Sequence, residues 1–370
     1  MKVLSVFGTR PEAIKMFPVV QRLQEHPAIE SRVCVTAQHR EMLDQVLSLV
    51  DIRPDYDLNV MQANQRLSYV TGQVLLEVEK ILEKERPDWL LVQGDTTTVM
   101  AASLAAFYQG VAVGHVEAGL RTRDKRQPFP EEINRRIADN LADLHFAPTA
   151  RAKENLLAEG TPESGIVVTG NTIVDALLYI LARTDQPGAI LPQEPASPDG
   201  RTILVTVHRR ESFGEPLERV CQTIAQIARA YPSAHVLLPV HPNPNVRSVV
   251  RRVLGDLPNV TLTEPLDYVT FVRAMDRAYF ILTDSGGVQE EATVLGKPVL
   301  VMRERTERTE ALDVGVARLV GTDRQVIMDL VDRLMRDPSF YAQMSQKSQV
   351  YGDGHASERI VQALLDRPRS

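Results

Sequence analysis

Cysteine is nearly absent from this chain. Only Cys34 and Cys221 occur in 370 residues, far apart and in no metal-ligand spacing. A disulfide framework or a zinc site is therefore excluded as the organiser of the fold, and a reducing, cytoplasmic setting is expected. Long apolar runs are missing too: nothing approaches the roughly 18 residues that a spanning helix needs. The opening MKVLSVFGTRPEA has one lysine and a short apolar run, too short for the core of a signal peptide, so export by that route is not expected. Positive charge is not in excess. Forty-two Lys and Arg against 48 Asp and Glu give a formal net charge of −6, which argues against the basic face of a nucleic-acid binder. An anionic ligand held by local arginines stays open. Neither G-x-G-x-x-G nor P-loop spacing occurs, which disfavours a dinucleotide cofactor or ATP.

What is present is an ordinary globular composition, 44% hydrophobic and 24% charged, on a chain long enough for two domains of roughly 150–200 residues each. Short apolar runs alternate with helical patterns. In the first half they are KVLSVF (2–7), SRVCVTA (31–37), DWLLVQ (88–93), VAVGHV (111–116), LHFA (144–147) and GIVVTG (165–170). The second half repeats the plan with RTILVTV (201–207), AHVLLPV (234–240), NVTLT (259–263), AYFILT (278–283), PVLVM (298–302) and VARLV (316–320). Amphipathic stretches lie between them. In INRRIADNLADL, for example, Ile133, Ile137, Leu141 and Leu144 fall on one helix face. This alternation predicts two doubly wound, Rossmann-like parallel sheets facing a central cleft. The expected domains are 1–170 and 171–370, with the proline-rich stretch 183–200 as a loop in the second. The last helix, HASERIVQALL, could pack on either.

Ligands of open α/β sheets bind beyond the carboxyl ends of strands, so the segments just after strands matter most. In FGTRPEAIKM (7–16) a strand ends at Phe7, and Arg10 stands at a helix start, where N–H groups and the dipole attract anions. A plain capped turn explains the same residues. In TDSGGVQEEATVLGKP (283–298) the turn Ser285, Gly286 and Gly287 opens a helix, and glycines let a diphosphate approach the backbone. Glu291, one turn in, suits a ribose hydroxyl.

Residues 115–136, HVEAGLRTRDKRQPFPEEINRR, hold Glu117, Asp124, Glu131, Glu132, His115 and five arginines. A solvated loop entering a salt-bridged helix accounts for such charge, and so does an acid/base site. Asp95 in QGDTTTV, Glu117 and His208 in VTVHRRES each follow a strand, and Glu131 opens a helix one turn before Arg135. Asp95 as an N-cap, Glu131 as a dipole partner worth about 0.3–1 kcal/mol, and Glu131–Arg135 as an i, i+4 pair are the bland explanations. Three acids and a histidine at one sheet edge favour proton transfer. Glu132 and Arg136 are expected to face away as a surface pair. By pattern alone His241 in HPNP and Arg308 in RERTERTEA read as polar loop residues after strands, Phe271 as core, and His39 as a helix-start residue.

Taken in order, FGTRPEAIKM, TAQHREML, QGDTTT, HVEAGLRT, PFPEEINRR, VTVHRRESFGEPL, HPNP, TDSGGVQEEA and GKPVLVMR resemble the bacterial non-hydrolysing UDP-N-acetylglucosamine 2-epimerases from residue 3 to about residue 320. The resemblance implies a GT-B-like fold, a cytoplasmic homodimer and interconversion of UDP-GlcNAc and UDP-ManNAc without metal or nicotinamide. It also implies a supply of product to surface polysaccharide. It makes Asp95, Glu117, Glu131 and His208 the catalytic set and Ser285, Gly286 and Gly287 the diphosphate contacts. Glu291 becomes a ribose contact. Arg10, Lys15, Arg135, His208, His241, Phe271 and Arg308 become further substrate ligands. A second UDP-GlcNAc as activator would use Gln38, His39 and position 41.

The chain departs from the family pattern at four places. Glu41 stands where many members carry Gln, which removes a donor from the activator segment. Ala37 replaces a common Gly, Leu266 a common Gln, and Thr309 a common Pro. Within the same family, a hydrolysing enzyme or one acting on a diacetamido uronic acid is the nearest alternative. A GT-B glycosyltransferase would need no proton carriers for two faces of C2, and a nucleotide-sugar sensor would need no acids at all.

Overall fold

In the computed structural model the described residues are 1–36, 40–60, 65–183, 200–207 and 214–367, without the side chains of 40–42. Each of the twelve apolar runs forms a strand with ends shifted by no more than two residues. The strands of the first sheet are β1 (Lys2–Phe7), β2 (Glu30–Val35), β3 (Tyr56–Asp57), β4 (Trp89–Gln93), β5 (Ala112–Val116), β6 (Leu144–Ala147) and β7 (Ile166–Val168). The second sheet holds β8 (Thr202–Thr206), β9 (His235–Pro239), β10 (Val260–Thr263), β11 (Phe280–Thr283), β12 (Val299–Val301) and β13 (Ala317–Leu319). The apolar runs are continuous rather than alternating because helices cover both faces of a parallel sheet. β3 was not visible in the sequence: two residues have no period.

The strand orders are β3-β2-β1-β4-β5-β6-β7 and β10-β9-β8-β11-β12-β13, with parallel pairing throughout. Each order reverses once, between β1 and β4 in the first sheet and between β8 and β11 in the second. Such a switch point opens a crevice at the carboxyl ends of the two adjacent strands.

The chain divides into two compact units, Met1–Leu178 with Tyr351–Ser370, and Tyr179–Val350. Helix Thr172–Ala182, which follows Gly170, spans the division. The first unit is built on a core that includes Leu4, Val6, Val74, Leu90, Val92, Ala102 and Val113. The second is built on Ile203, Val205, Ile224, Val236, Leu238, Phe280 and Leu300. The final helix, Ala356–Leu365, belongs to the first unit. Asp175 caps its start, accepting from Ser357 N–H (2.8 Å), Ser357 Oγ (2.6 Å) and Ala356 N–H (3.2 Å). Burial holds that carboxyl above its usual range, against these donors. Most of the proline-rich stretch lies outside the described residues. No helix among those described is long and apolar enough to cross a membrane.

One expectation fails in helix Glu131–Leu141. Ile133 and Ile137 are exposed, while Glu132, Asn134, Arg135, Ala138 and Asp139 are buried. The apolar stripe exists, but the sheet and loops cover the polar one. Glu132 is not half of a surface pair with Arg136. It is buried, and its carboxylate accepts the N–H groups of Thr122 and Arg123 at 3.1 Å each. It thereby pins the charged loop to the helix. Arg136 is exposed and lies 3.9 Å from Glu159.

Candidate active site

At the first switch point β1 runs into Gly8 and Thr9, and β4 into Gly94 and Asp95. The turn after β1 carries its own anion. Glu12 accepts the N–H groups of Gly8 (3.0 Å) and Thr9 (2.7 Å) and the Thr96 hydroxyl (2.7 Å). The Thr9 hydroxyl accepts the Glu12 N–H in return. This is a capping box, legible as T-x-x-E, and burial raises the Glu12 carboxyl despite its donors. Helix Arg10–Glu25 is thus closed by its own carboxylate. Arg10 is half-buried at its start.

One turn on, Lys15 is buried and its ammonium meets the Glu117 carboxylate. Glu117 follows β5 with φ +66°, a left-handed conformation uncommon for a side chain of this size. Donors from three segments among the described residues reach it there. Besides Lys15 they are Gln93 Nε2, from the end of β4, at 2.9 Å, and Asn171 Nδ2, after β7, at 3.4 Å. Gly119 completes the bend at φ +85°, where an added Cβ would lie 2.3 Å from the Ala152 carbonyl oxygen. A buried acid on a strained backbone, ringed by donors, is an arrangement found at functional sites.

Asp95 is paired differently. The buried Arg135 donates one nitrogen to its carboxylate and another to Glu132 Oε2 (3.2 Å). Asn134 Nδ2 holds the Asp95 backbone carbonyl at 3.0 Å. The carboxylate keeps partial exposure at 29%, so it is anchored yet open. Glu131 is half-buried at the start of the same helix. The first unit therefore brings Asp95, Glu117, Lys15 and Arg135 to adjoining strand ends. Gln93, Asn171 and Glu12 were not singled out in the sequence, although a polar residue closing an apolar strand marks Gln93.

The second switch point is organised around an open helix start. Helix Gly286–Leu295 begins at Ser285, whose hydroxyl makes no cap hydrogen bond. Its first N–H groups have no acceptor within the helix. The Ser285 N–H donates to Thr283 Oγ1 at 2.9 Å. Space beside Gly287 is open, and a Cβ on Gly286 would lie 3.3 Å from the Arg308 guanidinium carbon. Arg308 is buried, donating to Glu290 (3.0 Å) and to Glu307, which Arg303 also reaches at 3.1 Å. Dipole and guanidinium together make this an anion-accepting turn. Glu291 is buried and accepts the Tyr268 hydroxyl at 2.9 Å. Phe271 is half-buried on helix Tyr268–Arg277. His241, after β9, accepts the Asn243 N–H at 3.2 Å. His208, Gln38 and His39 lie outside the described residues, as does the side chain of Glu41, which falls in helix Arg40–Leu49.

Two Rossmann-like domains, one with paired acids and cations at its switch point and one with an anion-accepting helix start, define a GT-B-like α/β protein. A UDP-N-acetylglucosamine 2-epimerase family model matches residues 21–365. The UDP-N-acetylglucosamine 2-epimerase of Yersinia pestis is 54% identical over 369 residues, 98% of each chain. That of Escherichia coli (strain K12) is 53% identical over the same span and coverage. A crystal structure of the Neisseria meningitidis UDP-GlcNAc 2-epimerase bound to UDP-GlcNAc superposes with a TM-score of 0.95 at 49% identity, covering 99% of this chain and 100% of that one. The chain belongs to the UDP-N-acetylglucosamine 2-epimerase family.

Proposed function

We propose that the protein interconverts UDP-GlcNAc and UDP-ManNAc through a glycal intermediate. The C2 hydrogen of the hexosamine is not beside a carbonyl, so simple deprotonation would leave an unstabilised carbanion. Breaking the C1–O bond to UDP while the C2 proton leaves puts the electron pair into a C1=C2 double bond instead. Re-addition of UDP at C1, with a proton delivered to the other face of C2, inverts that centre. The chemistry needs proton carriers for two faces and positive groups for the departing diphosphate.

The observation that carries this reading is the pairing at the first switch point. Asp95 and Glu117 stand at neighbouring strand ends, each with its own cation, Arg135 or Lys15. Two carboxylates held in different surroundings are suited to different proton-transfer roles. With Glu131 and His208 they form the proposed catalytic set. The second unit handles the nucleotide, with Ser285, Gly286, Gly287 and Arg308 on the diphosphate and Glu291 on the ribose. His241 and Phe271 stand toward the nucleotide end, and Arg10 is a further ligand. The relatives support the substrate assignment, since they are named UDP-GlcNAc 2-epimerases and the Neisseria enzyme binds UDP-GlcNAc.

The proposal extends to a cytoplasmic homodimer whose product supplies surface polysaccharide, with a second UDP-GlcNAc as activator. Exposed Leu76, Phe107, Tyr108, Ile133 and Ile137, on three neighbouring helices of the first unit, support the dimer.

Incubation with UDP-GlcNAc in D2O, followed by NMR, tests the reading. UDP-ManNAc carrying deuterium at C2 is expected. Free sugar with UDP would indicate hydrolysis, and an intact substrate without C2 exchange would sink the proposal. The anion site has its own check. Nothing lies within 4 Å of a Cβ added to Gly287, so Gly287→Ala is expected to leave the melting temperature unchanged. It should still weaken UDP binding about tenfold, because the methyl group occupies the ligand's approach to the helix start. Calorimetric titration with UDP measures it.

A further inference from the structure

One buried side chain ties the ends of β4 and β5 together. His115, on β5, is fully buried. Its Nε2 lies 2.7 Å from the Gly94 carbonyl and its Nδ1 2.6 Å from Asp139 Oδ1. A carbonyl oxygen only accepts, so Nε2 carries a proton. The other oxygen of Asp139 takes the Arg121 guanidinium at 2.7 Å and the Gly119 N–H at 3.3 Å. The adjacent guanidinium favours the ionised carboxylate, to which Nδ1 then donates as well. A ring that donates from both nitrogens is an imidazolium.

The charges balance locally. His115 and Arg121 oppose Asp139 and Glu159, the last 2.7 Å from Arg121. Arg136 lies 3.9 Å from Glu159. From β6, His145 reaches the Asp139 backbone carbonyl at 2.8 Å. Burial by itself would lower the His115 pKa, but Asp139 and the Gly94 carbonyl outweigh it and hold the ring above its ordinary value. For Asp139, burial works upward and is outweighed by His115 and Arg121, which bring it to about 2.

We propose that His115, as a buried imidazolium, is a positioning residue that sets the geometry of both Asp95 and Glu117. Through the Gly94 carbonyl it fixes the backbone one residue before Asp95. Through Asp139 it fixes the Gly119 N–H, two residues beyond Glu117, whose left-handed backbone needs holding. Asp139 lies on the helix that carries Glu131 and Arg135, so one ion pair also registers that helix against both strand ends. The inference rests on the roles given above to Asp95 and Glu117.

Two variants separate the links. His115→Asn keeps a donor near Asp139 and loses Gly94; His115→Gln can reach Gly94 and loses Asp139. Each is expected to lower kcat about 100-fold, the scale of a small misplacement of reacting groups, with KM and the UDP dissociation constant within about twofold. A lowered melting temperature with kcat intact, or kcat and UDP-binding capacity falling together, would overturn the proposal. The wild-type protein supplies a measurement that needs no variant. With 15N-labelled histidine, one imidazole should have both nitrogens protonated at about pH 7.5, roughly one unit above the ordinary value. A neutral His115 ring overturns the proposal even where both variants fail to fold. Asp95→Asn assayed alongside keeps the two ideas apart. Normal turnover there removes the assignment of the acids; an inactive Asp95→Asn beside two normal His115 variants removes only the positioning role.

Discussion

Asp95→Asn is expected to lower turnover by about 10²–10⁴-fold, the range for losing a positioned proton carrier, while UDP affinity stays within about twofold. The amide is nearly isosteric with the carboxylate, and Arg135 keeps its second partner, Glu132, at 3.2 Å. The Asp95 backbone carbonyl keeps the Asn134 side chain. The substitution therefore removes the charge and the basicity and leaves the scaffold. Turnover is read by NMR from UDP-GlcNAc, and affinity by calorimetry with UDP. Loss of UDP binding in step with turnover would make Asp95 a structural residue and return the whole charged segment to the bland explanation.

Arg308→Met carries the other large effect, on stability as well as binding. The guanidinium is buried against Glu290 and Glu307, which are 1% and 8% exposed. Removing one member of a buried ionic cluster costs about 3–5 kcal/mol, because a carboxylate stays behind in a poorly solvated place. At roughly 2–4 °C per kcal/mol for a unit of this size, the melting transition of the second unit should fall by about 6–20 °C. Binding of UDP should fall as well, since the same guanidinium lies against Gly286. Adding Glu290→Gln to Arg308→Met should recover part of the stability and none of the binding. A melting temperature that does not move would mean that Arg308 serves the ligand alone.

The strands were legible because a parallel sheet covered on both faces leaves a continuous apolar run, and those runs have little else to become. KVLSVF, DWLLVQ and PVLVM are of this kind, and each is a strand to within two residues. The acids were legible by position, since a charged residue directly after such a run stands at a sheet edge. Glu12 could have been added from its capping-box spacing. Three features were out of reach. β3 is two residues long; Glu132 and Arg136 are neighbours with opposite fates; and Ile133 and Ile137 form a proper stripe that the first unit does not cover.

Residue pattern alone was enough to read two doubly wound sheets, the family, and the position of Asp95, Glu117 and Ser285–Gly287 just past strands. The partners of these residues came from packing. Lys15 reaches Glu117 across 102 residues, and Arg135 reaches Asp95 across 40. Packing also decided that the turn after β1 is closed by Glu12, whereas the one after β11 is open beside Arg308. The reason is physical. Periodicity records which residues share a face, a local property of 3.6 and 2 residues per repeat. Which face is buried, and beside which charge, follows from strand order, and strand order is settled by the packing of elements far apart in the chain.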